Sequence, residues 1–107
     1  MGKKDVRKNF REGVLKRDKN QCKVCKRFDV KLDAHHITDR GLMSNGGYVL
    51  ENGITLCDTG KFDSCHMKAE KYHITLGQGW EEGFHPDDLY KLIKSSHTLA
   101  VKKSEEL

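Results

Sequence analysis

The sequence predicts a small α+β domain: a short β-hairpin and the helix after it, flanked by an N-terminal and a C-terminal helix and stapled by cysteines. Three observations predict it. Two short apolar-rich stretches, one ending in His35-His36 and one running through Ile54-Thr-Leu56, are separated by a glycine-rich loop, as strand–loop–strand requires. Apolar residues recur at helical spacing on either side of that pair. Four cysteines sit in a chain of 107 residues, a length that makes one domain with a modest core and a use for a staple.

Met1–Lys4 is expected to fray. From about Asp5 to Asp18, Val6, Phe10 and Val14 recur every four residues with Leu15 beside them, marking one face of a helix. Arg7, Lys8 and Arg11 fall off that stripe, which reads as a core-facing seam. Gly13 lowers the helix preference by about 1 kcal/mol relative to alanine. Asp18–Gln21 is a polar break. Val30–Ile37 alternates as a strand does, and Thr38–Tyr48 carries Gly41, Ser44, Asn45, Gly46 and Gly47 and reads as loop. Tyr48–Leu50, the Asn52-Gly53 pair and Ile54–Leu56 read as a tight turn followed by a short return strand. After a second loop over 57–64, a helix begins near Cys65 and carries Met67, Ala69, Glu70 and Tyr72 towards His73. The hairpin-and-helix unit thus spans about 30–75.

Gly77–Gly83 is a turn-rich connector whose Trp80 reads as a packing anchor. Pro86 suits the first position of a helix over about 86–97, Asp87 and Asp88 suit its N-terminal end, and Leu89, Leu92 and Ile93 form its buried face. Residues 101–107 are expected to be a mobile tail.

Composition narrows the partner. Charged residues (34%) nearly equal hydrophobic ones (36%), and no run approaches the roughly 20 apolar residues of a membrane span. No apolar stretch follows the basic start, as a secretory signal would need. The chain is therefore expected to be cytoplasmic, where clustered cysteines bind metal more often than they pair as disulfides. The net charge of +4 divides unevenly, +8 over residues 1–31 and −4 over 32–107. A basic arm beside a near-neutral body fits a polyanion, nucleic acid first, through Arg7, Lys8, Arg11, Lys16, Arg17, Lys23, Lys26 and Arg27. A basic helix can equally be only a solvated face.

From Cys22 to His66, 45 residues hold four thiols and three imidazoles. Cys22-x2-Cys25 lets one tight turn present two thiolates to a tetrahedral zinc. A redox pair is the alternative, but no strand–helix pattern of the thioredoxin kind surrounds it. The imidazoles suit a hydrolytic metal site. Neighbouring strand residues point to opposite faces, so His35 and His36 can divide the labour, one binding a cation and the other left free as a base. His66 can complete the cation site. A closed zinc finger with histidines among its ligands would leave the His35-His36 pair beside Asn52 without a use.

Together, Cys22-x2-Cys25, Asp33-Ala-His-His-Ile37, Asn52-Gly-Ile-Thr-Leu-Cys57 and Cys65-His66, in that order and after the Val14–Cys22 lead-in, resemble the HNH endonucleases of the His-Me finger class. The resemblance covers roughly residues 7–73. It implies a ββα-metal core, in which a hairpin bridged by a long loop and a following helix clasp one divalent ion, together with a structural zinc knuckle. By position, His35 resembles the first metal ligand, His66 the second and His36 the general base that activates water. Asn52 resembles the central asparagine that braces the loop, and Cys22, Cys25, Cys57 and Cys65 resemble the thiolates of the structural zinc. The implied activity is hydrolysis of DNA phosphodiester bonds, by nicking or double-strand cleavage, leaving 5′-phosphate and 3′-hydroxyl ends. The implied cofactors are the structural Zn2+ and a catalytic Mg2+, Mn2+ or Ni2+. Small stand-alone members resemble phage and bacterial enzymes, with low sequence preference unless another phage or bacterial protein sets it. The alternative is a non-catalytic zinc-binding module for nucleic acid, although each key position here holds a chemically competent residue.

Two departures from the family pattern stand out. Seven residues separate Cys57 from Cys65, where the family commonly has Cys-x2-Cys. Glu70 stands where many members have a second helical histidine. One turn from His66 on the same helix face, it can join the cation directly or through water, or pair with a nearby lysine. His73, two turns from His66, reads as a third ligand or a surface histidine. His85 and His97 carry no assigned role.

Overall fold

The computed structural model describes residues 3–107. Helix α1 (Lys3–Arg17) forms where the helical stripe was read: Phe10 and Val14 are buried and Val6 is half-buried. Of the segment expected to fray, Met1 and Gly2 lie outside the described residues, and Lys3 and Lys4 open the helix. The polar break after α1 is structural. Asp18 is buried, takes two hydrogen bonds from the Arg17 guanidinium (2.8 and 2.9 Å) and accepts the Thr55 amide at 2.9 Å.

Two antiparallel strands follow, β1 (Leu32–His36) and β2 (Gly53–Cys57), paired from Leu32–Cys57 at one end to His36–Gly53 at the other. Gly53 serves close packing rather than turning. Its φ is an ordinary extended −119°, but a Cβ there would meet Val14 Cγ2 at 2.4 Å and the Phe10 ring at 2.8 Å. Helix α1 therefore lies directly on β2. Ile54 and Leu56, alternating with Gly53 and Thr55, enter a core shared with Ile37, Ala69, Leu89, Tyr90 and Ala100. Between the strands the chain makes three short 3-10 turns, Arg40–Leu42, Ser44–Gly47 and Leu50–Asn52. The tight turn expected before the return strand is the last of these, Leu50–Asn52, and β2 follows it directly.

Helix α2 (Cys65–Ile74) starts where the sequence placed it, with the Ser64 hydroxyl accepting the Met67 amide as N-cap. The C-terminal region departs most from expectation. Helix α3 is only Pro86–Leu92, capped by His85, whose Nδ1 accepts the Asp87 amide at 3.0 Å. Leu89 and Tyr90 are buried, whereas Leu92, expected inside, is 41% exposed. The Tyr90 hydroxyl bonds to Asn52 and Thr38 within the core, and this turns the Tyr90 face of the helix inwards.

A further helix, α4 (His97–Glu105), replaces most of the tail expected over 101–107. No apolar stripe announces it. Ala100 and Ser104, both small and buried, let it lie against the Ser44–Gly47 turn. There Ser104 Oγ accepts the Gly47 amide (3.1 Å) and donates to the Ser44 carbonyl, and Asn45 Nδ2 donates to the Ser104 carbonyl (2.9 Å). Trp80 packs at the surface rather than in the core, its ring 4.8 Å from that of His85. Among the described residues no helix is long and apolar enough to cross a membrane.

Candidate active site

Two clusters of metal-ligating side chains flank the start of α2. In the first, the sulfurs of Cys22, Cys25, Cys57 and Cys65 all lie within 4.8 Å of one another, with Cys25 and Cys57 3.7 Å apart. Sulfurs arranged tetrahedrally at a zinc–sulfur distance of about 2.3 Å stand about 3.8 Å apart, so the set fits one such ion. The Cys65 amide donates to the Cys57 sulfur at 3.3 Å, and the Cys22 amide and carbonyl close a turn with Arg27 and Lys26. The Cys65 thiol hydrogen-bonds to the Cys22 sulfur, which holds Cys22 down at about 4 and pushes Cys65 far up. Cys22 and Cys65 thus share one proton, and a cation between the sulfurs would displace it. The seven residues between Cys57 and Cys65 form a closed loop from the end of β2 to the first residue of α2, and the two sulfurs fix its ends.

That anchoring aims α2 at β1. His66 and Glu70, one turn apart on α2, meet His35 of β1. Glu70 Oε1 lies 3.3 Å from His35 Nδ1 and 3.3 Å from His66 Nε2. His35 Nδ1 is buried and, despite its closeness to Glu70, lacks an aligned hydrogen-bond partner among the described residues. An aimed but unbonded imidazole nitrogen beside a carboxylate and a second imidazole is a donor set that suits a divalent transition-metal ion. His73 stacks on His35 with ring centroids 5.2 Å apart and bonds through Nε2 to the His36 carbonyl at 3.0 Å. Because a carbonyl only accepts, Nε2 carries the proton, and in the neutral ring Nδ1 keeps its lone pair. His35, Glu70 and His73 also place ligand atoms within 4.8 Å of one another.

The other nitrogen of His66 faces two carboxylates, Asp58 at 3.4 Å and Asp33 at 3.7 Å. Contacts of this kind orient an imidazole and leave its far nitrogen for a ligand. The hydrogen bond to Glu70, against the cost of burial and with help from Asp33 and Asp58, raises the His66 pKa. The closeness of His35 and His66 holds Glu70 well below the usual carboxylate range. Burial wins at His35 and lowers it despite Glu70.

His36 points to the opposite side of the strand. Its ring stacks on Phe10 at 4.4 Å and meets the edge of Tyr48 at 4.7 Å. Burial, and then the neighbouring positive charges of His35 and Arg40, hold it down at about 4. It is therefore neutral at pH 7. Both histidines nevertheless line one cleft of about 470 Å³, with Arg7, Arg11 and Arg40 on its walls.

Asn52 is fully buried behind the strands and uses its whole amide. Its Oδ1 accepts the Thr38 amide (2.9 Å) and the Tyr90 hydroxyl (2.7 Å), while Nδ2 donates to the carbonyls of Thr38 and Gly47 (both 3.1 Å). The network continues from Tyr90 to Thr38 Oγ1 (2.6 Å) and on to His97 Nδ1 (3.1 Å). Asn52 thereby ties the end of β1 to the turn that precedes Tyr48.

No protein-family profile, curated protein or solved structure matches the chain.

The basic residues divide by their contacts. Arg17 is engaged internally, donating to the carbonyls of Leu50 and Gly53 (both 2.6 Å) as well as to Asp18, so it serves the fold. Arg7 and Arg11 line the histidine cleft, although Arg11 also pairs with Asp33 at 3.4 Å. Lys8 makes an exposed pair with Glu12, and Lys16, Lys26 and Arg27 are exposed, with Lys23 half-buried. The sequence pattern assigns no role to Asp33, Asp58, Tyr48, Tyr90 or His97. For Asp33 the signal was at hand, since it stands two residues before His35 and so shares its strand face. Tyr90 and His97 lie outside the motif-bearing stretch, and nothing in their local pattern marks them.

Proposed function

We propose that the chain is a metal-dependent endonuclease of the HNH type that hydrolyses DNA phosphodiester bonds. One observation carries the reading: imidazole nitrogens of His35 and His66 converge on a single Glu70 oxygen at 3.3 Å each, in the cleft that His36 also lines. His35, His66 and Glu70 would hold one Mg2+, Mn2+ or Ni2+, with His73 beside them. When bound, such an ion supplies a Lewis acid for a phosphate oxygen and for the charge on the departing 3′ oxygen. The cysteine cluster would hold a structural zinc that sets the position of α2.

His36 takes the proton from the attacking water. With Nε2 enclosed and unbonded among the described residues, Nδ1 is the nitrogen left to meet that water. A pKa near 4 keeps the ring unprotonated and makes it a weak base in the free protein. A phosphate seated in the cleft raises it, because a nearby negative charge favours the imidazolium. Asp33 and Asp58 keep His66 oriented, and Asn52 keeps the Tyr48 turn fixed to the strand that bears His36. Arg7, Arg11, Lys8, Lys16, Lys23, Lys26 and Arg27 supply backbone phosphate contacts, which give affinity without reading sequence. Sequence preference is then low unless a second phage or bacterial protein supplies it.

The test is plasmid relaxation by the purified zinc-loaded protein with and without Mg2+, Mn2+ or Ni2+, run beside His36→Ala. Metal-dependent nicking that disappears in the variant supports the reading. Intact plasmid under every condition, from a folded protein, would replace it with a zinc-binding nucleic-acid-binding module that does not cut.

A further inference from the structure

A second cleft, of about 1090 Å³, opens beside the histidine cleft and shares Arg7, Asp39, Arg40 and Tyr48 with it. Its remaining walls include Val6, Gly46 and Leu107. Tyr48 is its fixed centre. The ring is held edge-on by His36 (4.7 Å) and Phe10 (5.6 Å), the Arg7 guanidinium lies 5.9 Å from its centroid, and Arg40 donates to its hydroxyl at 3.1 Å. The turn before it is shaped to admit it. Gly46 has φ +78°, and a Cβ there would sit 2.7 Å from the Tyr48 ring. Asn45 before it is also left-handed, at φ +58°.

We infer that this second cleft is a nucleotide subsite. It seats the nucleotide that flanks the phosphate at His36, with base and sugar against Tyr48 and Val6 and the 5′-phosphate between Arg7 and Arg40. Aromatic and aliphatic walls take a base face without demanding its identity. Two guanidinium groups outnumber the single Asp39 carboxylate and match a phosphate in geometry and charge. The volume exceeds that of an ordinary small-molecule site and accommodates a nucleotide with room for the chain to continue. The word "flanks" rests on the endonuclease reading. The binding itself does not.

The test is a titration of the full-length, zinc-loaded protein, without other divalent ions, followed by 1H–15N NMR. Deoxyadenosine 5′-monophosphate is compared with deoxyadenosine and with inorganic phosphate. The nucleotide is expected to shift the amides of Arg40, Gly41, Gly46 and Tyr48 more than either fragment does. Arg40→Gln and Arg7→Gln, both at exposed positions, should each keep the wild-type melting temperature and weaken the affinity about three- to fivefold, the size of one solvent-exposed charge contact. Tyr48→Leu should remove the contribution of the base while leaving that of phosphate. The subsite is overturned if residues 40–48 do not respond, if inorganic phosphate reproduces the whole pattern, or if Arg40→Gln binds as wild type does. Plasmid nicking without a nucleotide response would sink the subsite and leave the nuclease standing. A nucleotide response with intact plasmid would keep the subsite and remove the nuclease.

Discussion

The cysteine cluster and the histidine cluster stand on the two sides of one residue pair, Cys65-His66, yet they are built differently. The first draws four like donors from three separate segments, three of them buried, around a space that sulfur fills. The second mixes imidazoles with a carboxylate and opens into a cleft walled by arginines. A closed set of identical ligands suits holding, and an open mixed set suits exchange with water and substrate. On the proposed function, stability and chemistry would depend on separate ions, joined through the first turn of α2.

Removing the ion from each cluster should break the comparison most visibly. Stripping zinc with a chelator under reducing conditions, or Cys22→Ser, is expected to abolish cooperative thermal unfolding followed by circular dichroism. Structural zinc in small domains contributes on the order of 10 kcal/mol. His35→Ala should keep a cooperative melt. A cysteine variant that melts like wild type would erase the contrast.

Next in size is the split between the two neighbouring histidines. His36→Ala is expected to lower nicking by about 100- to 10,000-fold, the range for a lost general base. Calorimetry should find its affinity for Mn2+ nearly unchanged, whereas His35→Ala and His66→Ala weaken it. For Glu70→Gln the loss of Mn2+ affinity should be about tenfold or more, since even partners one shell further out are worth that much. Unchanged Mn2+ binding in Glu70→Gln would leave the carboxylate as a helix ion pair and nothing more.

Smaller again is Tyr90→Phe, which strips one donor from buried Asn52 and should cost about 1–3 kcal/mol in chemical denaturation. If the brace matters to the cleft, nicking falls with it while zinc content stays the same. The smallest effect is a pH dependence of the packing beneath β2. Although burial opposes it, the Arg17 and Thr55 hydrogen bonds hold the Asp18 pKa below its ordinary 3.8. A depressed carboxylate contributes stability that is complete above its unfolded pKa and is lost as pH falls through the folded one. Asp18→Asn should therefore flatten the acid limb of a stability–pH curve below about pH 4.

The parts of this architecture legible in the sequence were those written in short-range pattern. Phe10 and Val14 repeat at the helical interval, Ser64-Cys65 marks a helix start, and the cysteines bracket the strand pair. Arg17 was read with its basic neighbours, because its partners, the carbonyls of Leu50 and Gly53, lie 33 and 36 residues away and leave no local trace. Helix α4 was hidden for a related reason. Its buried face is Ala100 and Ser104, which dock by smallness and hydrogen bonding and generate no hydrophobic period. For His73 the sequence leaves a third ligand and a surface histidine both open, because the bond of its Nε2 to the His36 carbonyl spans 37 residues. Leu92 stays outside because the buried Tyr90 hydroxyl, with two partners in the core, outweighs the apolar spacing.

The clasp of Ser104 on Ser44 joins positions 60 residues apart, so no local structure prepares it. A ribosome delivers the hairpin long before it delivers α4. Until residues 97–105 have emerged, the turn that precedes Tyr48 is tied through Asn52 but lacks the second tie from Ser104. On the proposed function, the cleft would reach its working shape only once α4 has closed on the loop.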